Sequence, residues 1–169
     1  MIRDSVNRDA TAATAHPALR ATFSREERRD SFHPETPMAT VKLLTDDELS
    51  PEARAVFGDI RASRGSDFVN NFWRALAHDP VTLKRTWESL KVVMGPGVLD
   101  PKVKEMLYIA VSIAHGCPYC IHSHTASARG KGMSDAEHRE LVAIVGMAAE
   151  TNRLVTALGV PIDREFEVG

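Results

Sequence analysis

Cys117 and Cys120, the only cysteines of the chain, stand three residues apart in the stretch HGCPYCIHSHTASARG, and His124 follows the second by four. Two thiols at i and i+3 of a helix can close to a disulfide, so oxidation of one sulfur is resolved by the other. A thiol becomes a strong nucleophile on losing its proton, a loss favoured by a helix N-terminus and by a neighbouring imidazole. Both cysteines fall in a first helical turn, where unpaired backbone N–H groups point, and Pro118 suits the first helical position. The alternatives are a zinc site, built from Cys117, Cys120 and His124 with Glu105 or water as fourth ligand, and an inert buried pair. Structural zinc sites ordinarily bring a second ligand pair, and the chain has no further cysteine. Thiol redox chemistry is the preferred reading, with no metal and no cofactor required.

A second stripe lies just upstream. Glu105, Tyr108 and Ser112 share the i, i+3, i+7 spacing of Cys117, Cys120 and His124. If Gly116 folds the two helices back as an antiparallel pair, Glu105 and His124 come within a few ångströms of the same height, at about 1.5 Å rise per residue. Ser112 then falls beside the two thiols. A carboxylate at Glu105 would fix the tautomer of His124 and steady its charge, as the third member of a catalytic triad does. Tyr108 and Tyr119 can carry protons, although an amphipathic place at the core edge is their default. His122 falls off the stripe, and His115 is most simply a partner of a helix C-terminus. The apolar positions Val103, Met106, Leu107, Ala110, Ile113 and Ala114 recur at helical spacing and are expected to face the core.

The elements that must position these groups are helices. Three starts use one device, a capping residue followed by proline: Ser50-Pro51, Asp79-Pro80 and Asp100-Pro101. A fourth is a capping box, Ser134 with Glu137. Gly65, Gly116, Gly159 and the segments GPG and GKG mark stops. The pattern predicts helices near 51–64, 68–78, 80–94, 101–115, 117–130 and 135–158, the last open to a break. No stretch alternates as a strand does. The fold class is all-α, of about six helices, with the CxxC at the N-terminus of a core helix.

The 169 residues carry a net charge of −2 with 43% hydrophobic and 26% charged residues, ordinary for one soluble domain. That balance gives no electrostatic case for nucleic acid or an anionic membrane. No apolar run approaches the roughly 18 residues of a bilayer span, and MIRDSVNRDA lacks the apolar centre of a secretory signal, which predicts a cytoplasmic protein. Residues 1–37 mix charges and prolines with little apolar periodicity, so they are expected to form a poorly ordered or loosely docked extension. Residues 38–169 form the helical domain, and Met38 is a candidate alternative start.

Glu105, Cys117, Cys120 and His124, with Ser112 and the trailing ARGKGMS, resemble the core motif of the AhpD-like group in the carboxymuconolactone decarboxylase superfamily. NNFWRALAHDPVTLKRTWESL is similar to the helix pair before that core in peroxidase-related members. The resemblance covers about residues 40–160. It implies an all-helical protein assembling as homotrimers or homohexamers, with sites near subunit contacts. It also implies reduction of a hydroperoxide by Cys120 as the attacking thiol and Cys117 as the resolving one, with Glu105 and His124 as proton relay. An external thiol reductant would restore the dithiol. The helix N-terminus by itself favours Cys117 as the more acidic thiol. One departure stands out: AhpD itself has a histidine just before the second cysteine, where this chain has Tyr119. The expected function is a thiol-dependent alkylhydroperoxidase. The alternatives are a thiol–disulfide oxidoreductase acting on a protein partner, and a non-enzymatic metal-binding or redox-sensing helical module.

Overall fold

In the computed structural model, which describes residues 39–167, the regular elements are six α-helices and two short 3-10 turns. The helices are α1 (Pro51–Arg64), α2 (Asn71–Leu76), α3 (Pro80–Met94), α4 (Pro101–Ala114), α5 (Pro118–Gly130) and α6 (Asp135–Leu158). No strand occurs among the described residues. Contacts divide the chain at Lys42/Leu43, and all six helices belong to the second unit. The expected 1–37 extension lies outside the described residues.

The starts are built as their residue types dictate. Ser50 Oγ accepts the amide of Ala53 at 3.2 Å, Asp79 accepts those of Val81 and Thr82, and Asp100 accepts that of Lys102 at 2.8 Å. Ser134 and Glu137 exchange both bonds of the capping box. The same cap-then-proline device appears a fourth time at Cys117-Pro118, where the cap is a thiol. Gly116, at φ 64, supplies the left-handed residue that ends α4 and turns the chain into α5.

Two differences from the sequence reading concern the helix limits. Helix α2 is shorter than the expected 68–78, because two arginines hold the preceding segment extended. Arg61 Nε donates to the Asp67 carbonyl at 3.0 Å, and Arg74 Nε to that of Val69 at 3.1 Å. Helix α6 runs unbroken over 24 residues.

The buried residues form two separate clusters. The first joins α1, α2 and α3 through Phe57, Ile60, Val69, Trp73, Leu83 and Trp87. Trp73 and Trp87 meet edge to face, ring centroids 5.5 Å apart, and Trp87 Nε1 donates to Asp59 at 2.7 Å. The second joins α4, α5 and α6 through Ile109, Ala128, Met133 and Leu141, with Met106 and Ile113 packed against it.

In α4 the buried face is not the one expected. Glu105, Ile109 and Ser112 are buried, whereas Leu107 is 52% exposed and Val111 56%. The helix is apolar nearly all round, so apolar spacing could not choose its inner face. The stripe that carries the polar side chains packs against α5, and Val103 and Leu107 look outward. Helix α6 behaves alike: Ile144, Met147, Leu154 and Leu158 share one exposed stripe, and nothing beyond its first half is buried. An 18-residue window of α6 is apolar enough for a membrane span by composition and only 6% buried. Glu150 and Arg153, charges expensive in hydrocarbon, fall in the middle of that stretch.

Candidate active site

Helices α4 and α5 form the hairpin that assembles the chemistry. The Cys117 amide closes the turn by donating to the Ser112 carbonyl at 3.0 Å. Two turns away from it, His124 Nδ1 lies 2.7 Å from Glu105 Oε2. The two stripes therefore do face each other. Tyr108, one turn along α4, stacks its ring on the His124 imidazole, centroids 3.9 Å apart and planes 18° from parallel.

Glu105 is buried, with 7% of its side chain exposed. Its second oxygen, Oε1, accepts from Ser127 Oγ at 2.8 Å and from Lys131 Nζ at 2.8 Å, and the same ammonium also donates to Ser127 Oγ at 2.8 Å. Burial alone would push this carboxyl upward, but the hydrogen bonds from His124, Lys131 and Ser127 outweigh it and hold the pKa at about 2. An ionised carboxylate can only accept, so the proton between Glu105 and His124 sits on Nδ1. In a neutral imidazole of that tautomer, Nε2 is the bare nitrogen that can take a proton from a thiol. With three donors on it, one of them an ammonium, Glu105 is already engaged on both oxygens and is a poor fourth ligand for zinc.

At the N-terminus of α5 the two sulfurs are in direct contact, both cysteines free and each half-buried. Cys117 Sγ also accepts the backbone amide of Cys120 at 3.4 Å. The hydrogen bond from the Cys120 thiol, then this amide, lower the Cys117 pKa. The reverse holds for Cys120, which burial, the bond to Cys117 and its negative charge push up to about 11. Cys117 is thus the more acidic sulfur, and Cys120 is the one a single turn from His124 that needs a base.

Two residues singled out from the sequence are placed elsewhere. Ser112 is buried in the hairpin but turns its hydroxyl onto its own helix, donating to the Tyr108 carbonyl at 2.7 Å rather than to the thiols. Tyr119 reaches the start of α2, where its hydroxyl accepts the amide of Phe72 at 3.1 Å. Phe72 in turn packs on Trp73. His122 is exposed, and His115 caps α4. Arg64, over the rings of Trp73 and Trp87, brings a cation whose charge acts on Tyr119 and Glu105. Among the described residues no group of three or more His, Cys, Asp or Glu is disposed to hold a metal ion.

Ser127 and Lys131 were given no role from the sequence, although they continue the α5 stripe and Lys131 lies in ARGKGMS. Cys117, Cys120, His124, Ser127 and Lys131 follow one another at spacings of 3, 4, 3 and 4. Lys131 lies inside GKG, whose glycines mark the helix end.

The family model of the carboxymuconolactone decarboxylase family matches residues 80–163. The crystal structure of the alkylhydroperoxidase AhpD core from Rhodospirillum rubrum is 62% identical in sequence, with a TM-score of 0.75; the match covers 78% of this chain and 99% of that one. The chain is an AhpD-like member of the carboxymuconolactone decarboxylase family. It is also 29% identical over 100 residues to uncharacterized protein 4 in the cox locus of Paracoccus denitrificans, over 59% of this chain and 74% of that protein. Within this AhpD-like member, α3 to α6 are the elements that fall in the family match.

Proposed function

We propose that this AhpD-like protein is a thiol-dependent peroxidase that reduces alkyl hydroperoxides at Cys120 and Cys117. The observation that carries the reading is the hydrogen-bonded set Glu105–His124 one helical turn from a dithiol. The similarity to an alkylhydroperoxidase core supports it. His124 Nε2 takes the Cys120 proton, and the resulting thiolate attacks the terminal oxygen of ROOH. The O–O bond breaks, the thiolate becomes a sulfenic acid, and RO⁻ leaves as ROH with the proton returned by His124. Cys117, kept acidic by its position at the helix cap, attacks the sulfenic sulfur. The S–S bond forms and water leaves. Two electrons from an external thiol reductant restore the dithiol.

The exposed apolar stripe of α6 supports assembly into a homotrimer or homohexamer, since a protomer alone leaves Ile144, Met147 and Leu158 in water. A dithiol kept reduced between turnovers suits the cytoplasm. The half-exposed, acidic Cys117 favours a second reading, thiol–disulfide exchange with a protein partner.

Intact mass of the reduced protein before and after a small excess of cumene hydroperoxide separates the two. Peroxidase chemistry gives rapid loss of two hydrogens in the parent and a trapped sulfenic acid in Cys117→Ser but not in Cys120→Ser. Thiols that survive the peroxide unchanged would sink this reading and leave disulfide exchange. A sulfenic acid trapped in Cys120→Ser alone would reverse the roles of the two cysteines.

A further inference from the structure

The family motif ends its reactive residues at His124, yet the stripe does not end there. Lys131 caps the C-terminus of α5 with its backbone and sends its side chain back along the helix to Glu105. Its ammonium touches two groups, Glu105 Oε1 and Ser127 Oγ, both at 2.8 Å, so the hydroxyl and the cation bind the same carboxylate oxygen from two sides. The other oxygen of that carboxylate is the one on His124.

We propose that Lys131 is a positioning residue of this site: with Ser127 it fixes Glu105 as a permanent anion, so that the proton exchanged with the thiols and the leaving alkoxide travels on His124 alone. A buried carboxylate and an imidazole at 2.7 Å, left to themselves, can share a proton between them. A cation on the far oxygen removes that ambiguity, because protonating Glu105 would set a neutral acid against an ammonium. It also sets the charge of the cluster. Glu105 and Lys131 cancel, and the set becomes a net cation when His124 takes up a proton, at the moment when sulfur or alkoxide carries the negative charge. Without Lys131 the same protonated set is neutral and attracts the thiolate less.

Among the described residues, the other charged or titratable groups around this set include Tyr108 on α4, the two thiols on α5 and Arg64 from α1, whose charge reaches Glu105. From α6, Glu137 is engaged by Lys102 at 2.7 Å.

The inference rests on the proton-relay reading of Glu105 and His124, so its test does not use peroxide. The rate at which iodoacetamide alkylates the reduced thiols is followed against pH in the parent and in Lys131→Met, Lys131→Gln and Lys131→Arg. Lys84→Met, at an exposed position on α3, removes the same charge elsewhere. The neutral Lys131 variants are expected to move the midpoint of the profile up by about 0.2–0.6 pH unit, the effect of one charge roughly 10 Å from Cys120 and roughly 15 Å from Cys117 along the helix at high effective dielectric. Lys131→Arg should restore it, and Lys84→Met should leave it in place. Because a variant with a damaged helix end would also react differently, nitrogen chemical shifts of His124 are read alongside. The parent must show Nδ1 protonated and Nε2 bare between thiol reactions. A folded Lys131→Met or Lys131→Gln whose profile superimposes on the parent overturns the proposal, as does a parent whose His124 proton sits on Nε2. A parent that alkylates as expected but consumes no peroxide would instead remove the peroxidase reading and leave the role of Lys131 standing.

Discussion

Replacing Glu105 by glutamine tests the central polar contact of the hairpin through folding rather than turnover. The carboxyl titrates at about 2 instead of its ordinary 4.5. At about 1.36 kcal/mol per pH unit, that difference is worth about 3 kcal/mol of folding free energy at neutral pH. A depressed carboxyl contributes its stability fully above its unfolded value and loses it as pH falls through the folded one. The contribution of Glu105 should therefore be complete above pH 4.5 and fade toward pH 2. Glu137, Asp46 and Asp59 are held low as well, by Lys102, Arg61 and Lys91 respectively, so the parent curve alone mixes several groups. The informative quantity is the difference between parent and Glu105→Gln. Urea unfolding followed by the fluorescence of Trp73 and Trp87, at one protomer concentration and several pH values, measures it. The difference should stand at about 3 kcal/mol near pH 6 and shrink toward acid. A difference that does not change with pH would refute the argument, because it would mean that glutamine is tolerated or resented for its shape and not for its missing charge.

Three further outcomes follow from the geometry. Tyr108→Ala removes the ring stacked on His124, and with such ring contacts worth about 0.5–1.5 kcal/mol the peroxide-driven oxidation rate should drop by up to about tenfold while helicity is unchanged; an unaltered rate would show the stack to be idle. Ser134→Ala deletes one half of the capping box and should lower stability by about 1 kcal/mol in urea, a loss that Ser134→Thr should largely recover. Met147→Glu places a charge in the exposed stripe of α6 and should shift the mass found by light scattering toward the protomer. An unchanged mass would mean that this stripe is not the contact between copies.

Much of this arrangement was legible in the sequence because helices are regular. Caps and glycines sit where local chemistry puts them, and spacing alone placed Glu105 level with His124. What spacing could not give was direction. The apolar residues of α4 surround it almost completely, so the helix could be turned either way about its axis, and only packing decided for the Glu105 face. The hydroxyl of Ser112 bonds its own backbone four residues back, an option open to any helical serine that spacing does not rule out. Tyr119 stands between the cysteines in the chain, yet a helix sends consecutive side chains about 100° apart, and it joins the first cluster at Phe72 instead. Lys131 was missed because a side chain flanked by two glycines reads as a turn, although the backbone there still follows the helix closely enough to aim it at Glu105.

The hydrogen bonds that join Glu105, His124, Ser127 and Lys131, and the one that closes the turn between Ser112 and Cys117, lie within one helical hairpin, and the widest spans 26 positions along the chain. Contacts so local in sequence form early, since closing a short loop costs little entropy and helical hairpins are quick to pair. The reactive constellation is thus close to complete as soon as α5 has folded against α4, before any distant part of the chain is in place. Refolding experiments should find the reactivity of the thiols returning on the time scale of the hairpin, independently of the packing of Trp73 and Trp87 in the first cluster.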